Sequence, residues 1–177
     1  MSEVRAERLT AEVDGEFVVF LIGMRFNRIW KIQRWLLVAI AMARMLREIA
    51  ADPGAGFLGV ESWFGRTTVM LQYWRSFEAL ERYATDAARE HRPAWTAFNR
   101  AIGSNGDVGI WHETYRSRPG DFECVYNNMP PFGLAKATRA VPATGRRESA
   151  AGRMAATPPT SADAPPAAGR GAQRLET

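Results

Sequence analysis

Phe17-Val18-Val19-Phe20-Leu21-Ile22-Gly23-Met24 reads as a strand with no polar side. Successive strand residues point to opposite faces, so an unbroken apolar run has to be covered on both. One layer of amphipathic helices covers only one of them. Working outward, Asp14-Gly15 is the turn that precedes the run. Downstream, Trp35, Val38, Ala39, Met42, Leu46 and Ile49 recur at helical spacing, and Asp52-Pro53-Gly54 stops that helix. Residues 57–64 and 67–74 are aromatic and β-branched runs joined at Gly65-Arg66, which predicts a hairpin.

Ser76 suits an N-cap, and the stripe that follows it runs Phe77, Leu80, Ala84, Ala87 and His91. Pro93 disfavours helical geometry at Arg92, so His91 is expected at the helix end. Pro93 then opens a second short helix bearing Trp95, Phe98 and Ile102. Residues 103–107 read as loop, 108–115 as a fourth strand and 122–127 as a fifth. The order β-α-β-β-α-(α)-β predicts an α+β, ferredoxin-like split β-α-β domain with an extra C-terminal strand. Helices on one face leave the other face apolar and open. Pairing two such sheets covers it, so an obligate homodimer is expected.

The chain of 177 residues suits one domain, residues 1–142, with an Ala/Pro/Gly/Arg-rich tail over 143–177. After residue 154 the tail holds almost no large apolar side chains and is expected to be disordered. The formal charge of +4 does not signal nucleic acid, because residues 1–135 carry 16 Lys and Arg against 16 Asp and Glu. A domain neutral overall lacks the basic bias of a nucleic-acid binder. Cys124 is the only cysteine, which excludes an intrachain disulfide and a cysteine-cluster metal site. The amino terminus has no signal-type apolar region, and the longest apolar run, residues 35–43, is too short to span a bilayer. A cytoplasmic location is expected. The glycines of residues 103–107 precede a strand instead of opening a helix, so there is no NAD or flavin fingerprint.

The run Gln72-Tyr73-Trp74-Arg75-Ser76-Phe77-Glu78-Ala79-Leu80, closed by His91 and followed by Trp95 and Phe98, resembles the antibiotic-biosynthesis-monooxygenase type of dimeric α+β barrel. Within it, residues 10–151 are similar to the monooxygenase-like family typified by a fumagillin-pathway enzyme. The closest stretches are residues 17–24, 109–115 and Tyr126-Asn127-Asn128-Met129-Pro130-Pro131-Phe132-Gly133. Two relatives of this fold sharpen the expectation. Haem-degrading monooxygenases take their iron ligand from a histidine at the end of the corresponding helix, which matches His91. Aldoxime dehydratases do the same, and carry a catalytic histidine about twenty residues on in an aromatic-His-Glu strand, which resembles Trp111-His112-Glu113.

The resemblance therefore implies a haem-dependent monooxygenase acting on a small hydrophobic substrate. His91 is the expected metal ligand, His112 the catalytic acid–base residue, and Trp95, Phe98 and Trp111 the cofactor-pocket walls. An aldoxime-dehydratase-like haem lyase, or a cofactor-free oxygenase or binder, are the alternatives. Each residue also has a plainer role. His91 and His112 serve equally as hydrogen-bonded structural histidines, and Cys124 as a small buried residue. His112 shares its strand face with Val108 and Ile110, and Glu113 points to the other. Arg25, Arg28, Lys31 and Arg34 suit haem propionates or, more simply, a solvated basic face. With Trp30, Trp35, Leu36 and Leu37 beside them, a membrane-surface helix is an alternative, but a membrane partner is not expected, because the apolar stripe is more economically used in the core.

Overall fold

The computed structural model describes residues 3–86 and 106–155. The apolar run lies within β2 (Phe17–Phe26), an inner strand of a four-stranded antiparallel sheet. β4 (Val69–Trp74) and β5 (Val108–Ser117) flank it, and β3 (Phe57–Trp63) lies beyond β4, in the order β3-β4-β2-β5. α1 (Ile32–Ala50) links β2 to β3, and α2 (Phe77–Thr85) follows β4. This is the ferredoxin-like arrangement that the order of elements predicts. Gly56, at φ 81°, makes the left-handed turn into β3 that a side chain would strain.

Register decides what each face carries. Val18, Phe20, Ile22 and Met24 point to the helices. Val18 packs with Ile49, Ala55, Trp74, Ala79 and Leu80, and Met24 with Val108, Trp35 and Val38. Phe17 and Val19 point the other way, where Phe17 and Tyr73 meet Leu134 and Phe122. Both faces of β2 are thus covered, as its sequence demands.

The second cover differs from the expected one. β1 (Arg5–Glu12), β6 (Tyr126–Met129) and β7 (Arg139–Pro142) form a three-stranded antiparallel sheet in the order β6-β1-β7. α3 (Gly133–Ala137) touches β3, β1 and β7, so the chain itself fills part of the face expected to be open. Gly59 permits the approach, since a Cβ there would stand 3.2 Å from the Ala137 Cβ. The remainder of the face, around Trp63 and Tyr115, stays exposed.

The fifth strand is also displaced, from residues 122–127 to β6. The Thr10 hydroxyl donates to the Cys124 carbonyl at 2.7 Å, and the Ala11 N–H to its sulfur at 3.3 Å. Side-chain bonds thereby replace a backbone ladder over residues 122–125. α2 ends at Thr85 with an extended Asp86 as its C-cap, and the Thr85 hydroxyl donates to the Glu81 carbonyl at 2.8 Å; residues 87–91 of the expected helix lie outside the described residues. Past β7, Ala143 donates to the Arg8 carbonyl, a 3-10 turn spans Gly145–Glu148, and α4 spans Ala150–Met154. Arg147 and Arg139 pair with Glu12, and Arg153 with Glu123. The tail beyond residue 155 lies outside the described residues.

The basic series splits in the same way. Arg25 sits in β2 and donates to the Thr67 hydroxyl, while Arg28 and Lys31 belong to the turn before α1. Both clasp Asp107, at 2.8 and 2.9 Å, and Asp107 is almost wholly buried at the start of β5. The Lys31 ammonium, more than any other neighbour, holds the Asp107 carboxyl below the usual carboxylate range. A carboxyl with a depressed folded pKa contributes stability above its unfolded value, and loses it as pH falls through the folded one. In wild type the urea midpoint should therefore drop as pH falls below about 4. Asp107→Asn should lower the midpoint at neutral pH and flatten that acid limb. Parallel acid limbs would show that Asp107 does not drive it.

Candidate active site

The helix face of the four-stranded sheet carries the candidate site. Phe20 and Ile22 of β2, Met42 and Met45 of α1, and Gln72 and Tyr83 help to line an apolar cavity of about 60 Å³. Its polar atoms are occupied. The buried Gln72 amide oxygen accepts the Trp74 indole N–H at 3.0 Å, and the Tyr83 hydroxyl donates to the Met45 carbonyl and meets a Glu48 carboxylate oxygen, each at 3.2 Å. A wall with few free polar groups selects an apolar guest.

His112 belongs to this face. β5 pairs with β2 so that His112 stands opposite Ile22, in line with Val108 and Ile110. Its ring lies 5.8 Å from that of Phe20, one of the cavity walls, and its side chain remains open to solvent. The same alternation moves Trp111 away. Trp111 pairs with Gly23, and a Cβ on Gly23 would come within 2.8 Å of the Trp111 indole nitrogen. Trp111 therefore lies on the opposite face of the sheet from His112. Glu113 is on that opposite face too, as expected, and accepts the Tyr115 hydroxyl at 2.7 Å. His91, Trp95 and Phe98 lie outside the described residues, between Asp86 at the end of α2 and Gly106 before β5.

The remaining candidates are absorbed by structure. Cys124 is half-buried among the residues packed on Phe17. Burial pushes the neighbouring Tyr73 phenol up to about 12 and raises that of Tyr126 as well, so neither offers a base on that side of the sheet. In the Asn127–Gly133 stretch, Phe132 packs edge-on to Trp63 at 6.1 Å, and the Gly133 N–H donates to Glu61 at 3.1 Å. That stretch seats α3 on β3. A larger hollow of about 480 Å³ beside β1 is polar, and Glu12, Glu123 and their arginines form ion pairs across its lining. Sequence reasoning missed Gln72 and Tyr83 as cavity residues. Their period within β4 and α2 was the available signal.

Comparison with known proteins agrees with this architecture. Monooxygenase af470 of Aspergillus fumigatus is 25% identical over 163 residues, covering 77% of this chain and 56% of that relative. The chain thus spans little more than half the length of the curated relative. An aldoxime dehydratase crystal structure superposes with a TM-score of 0.53 at 18% identity, covering 77% of this chain and 39% of that one. SnoaB from Streptomyces nogalater, a cofactor-independent oxygenase, gives a TM-score of 0.39 at 16% identity over 60% of this chain and 95% of its own. At 18% identity the aldoxime dehydratase likeness bears on the fold alone, and the SnoaB superposition carries no argument. A family description reaches further, because it matches residues 17–134, from the start of β2 into the α3 helix seated on β3. By that match, over the whole four-stranded sheet and its helices, the chain belongs to the Monooxygenase af470-like family.

Proposed function

We propose that the chain is a monooxygenase for a small hydrophobic molecule, bound on the helix face of the sheet, with His112 as its proton donor and acceptor. The placement of His112 carries this proposal. It is an imidazole on the same face as an apolar cavity, in contact with one cavity wall and open to solvent. Such a group can take a proton from a bound molecule and pass it to water. The family's name supports the reaction class. The proposal includes a homodimer formed through the open part of the other face, where Trp63 is 45% and Tyr115 52% exposed. It also includes a cytoplasmic location, in keeping with a lone free thiol.

In the haem form of this proposal His91 would hold the iron, and Trp95 and Phe98 would help to wall its pocket. When bound, haem supplies oxygen activation at the iron. The described residues contribute an apolar wall and one imidazole. Their cavity of about 60 Å³ has room for about two waters, where ligand pockets span about 300–1,000 Å³. By themselves they do not make a site of macrocycle size. A second form is cofactor-free: His112 deprotonates a substrate that then reacts with oxygen itself.

Hemin titration of wild type, His91→Ala and His112→Ala, followed in the visible spectrum, separates the two. The haem form predicts a saturable, stoichiometric Soret band that is lost in His91→Ala and kept in His112→Ala. A wild type with no specific band eliminates that form and leaves the cofactor-free one. Conversion of an aldoxime to a nitrile without oxygen uptake would replace both with dehydratase chemistry.

A further inference from the structure

α1 buries one stripe of its surface, but its other side is not polar. Ile32, Leu36, Leu37 and Ile40 point outward and are exposed, as are Ile29 and Trp30 in the turn before the helix. Trp30 is 72% exposed and Leu37 63%. The turn is held in place: the Trp35 indole donates to the Ile29 carbonyl at 3.0 Å, and Arg28 and Lys31 clasp Asp107. Exposed apolar side chains on an anchored turn and one helix face form a contiguous patch, which soluble surfaces rarely carry without a use.

Asp107 answers Arg28 and Lys31, and the other charges of the stretch that carries the patch are basic. Residues 25–47 include Arg25, Arg28, Lys31, Arg34, Arg44 and Arg47 and no Asp or Glu. This stretch is cationic, while the rest of residues 1–135 carries more Asp and Glu than Lys and Arg. At helical spacing Arg44 and Arg47 follow Ile40 on the same outward side, both exposed. A second copy docking by a two-fold axis would set this patch against itself, cation against cation. Nucleic acid would use the arginines but leave six large apolar side chains in water. An anionic bilayer satisfies both features: acyl chains take the isoleucines, leucines and Trp30, and headgroups meet the arginines. No helix among the described residues is long and apolar enough to cross a membrane, so α1 would lie in the interface plane.

We propose that the outward face of α1, with the Ile29-Trp30 turn, docks the protein on an anionic lipid surface. The patch lies on the side of α1 away from the cavity. Docking there leaves the helix face of the sheet free and brings it near a reservoir of apolar molecules.

The test is co-sedimentation of the full chain with phosphatidylcholine vesicles, with and without about 30 mol% phosphatidylserine. Measurements at about 0.05 M and about 0.5 M NaCl vary the screening. Wild type should bind the anionic vesicles at least about ten-fold better than the neutral ones, and high salt should weaken that binding. Each basic residue near such a surface is worth roughly a five-fold change. Arg44→Gln/Arg47→Gln should therefore weaken binding about 25-fold at low salt. Trp30→Ser/Leu37→Ser should weaken it at least about ten-fold. Far-UV spectra matching wild type show that these exposed substitutions leave the fold intact. Failure of wild type to bind anionic vesicles overturns the proposal, as does full binding by the Trp30→Ser/Leu37→Ser protein. Self-association in sedimentation velocity that this variant abolishes would assign the patch to a second copy instead, and overturn it equally.

Discussion

Trp74→Ala lowers the unfolding free energy by about 4–5 kcal/mol, near the upper limit for a single large-to-small change. Trp74 is 1% exposed and is among the largest fully buried side chains. It stands where β4, α1 and α2 meet, in one cluster with Val18, Ile49 and Leu80. Phe57 meets it edge-on at 5.4 Å and the tilted Tyr83 ring lies at 5.8 Å, so its removal strips aromatic contacts from two other elements. Its N–H also satisfies the buried Gln72 oxygen, which alanine leaves without that donor. Trp74→Phe keeps most of the area but loses the donor, and should cost about 2 kcal/mol. Because the indole is also a wall of the cavity, Trp74→Ala should enlarge an apolar void able to take a small aromatic guest. Urea unfolding monitored by circular dichroism measures the cost. A Trp74→Ala loss below about 2 kcal/mol would mean that the core is not centred on this ring.

Much of this core was legible in the sequence, because β2 is apolar on both faces and no one-layer fold satisfies it. The identity of the second cover was less legible. β1 reads Arg-Ala-Glu-Arg-Leu-Thr-Ala-Glu and buries only Leu9 and Thr10, so its pattern resembles a charged terminus more than a strand. β7 has four residues, too few for a period to show. At the site, period-two alternation places His112 with Ile110 and Glu113 on the reverse, as the structure has it. The same alternation sends Trp111, the residue before His112, to the other face. For α1 the sequence shows Trp30, Leu36 and Leu37 beside basic residues, but not which way they face. Its inward stripe satisfied the core, and a second apolar side is visible only once the helix is seated.

His112→Ala lowers turnover by about 10²–10⁴-fold, the contribution of a positioned acid–base group. Its imidazole is exposed and contacts the Phe20 ring, so the unfolding midpoint should barely move. A large rate loss without a stability loss is the mark of a chemical role. His112→Gln retains polarity and hydrogen bonding but cannot relay a proton, and should lose as much; recovery by glutamine would reduce His112 to a positioning residue. Oxygen uptake, screened over small hydrophobic molecules that carry an acidic proton, supplies the rate. The informative control is the next residue. Glu113 lies across the sheet, bonded to the Tyr115 hydroxyl, so Glu113→Gln should leave turnover within about three-fold of wild type, as a surface change away from the reacting atoms does. If Glu113→Gln instead abolishes turnover while His112→Ala retains it, the reacting face is the one that carries Trp111 and Tyr115. The helix-face cavity would then be only a packing defect of the core, and the choice between the two sheet faces rests on this pair of neighbouring substitutions.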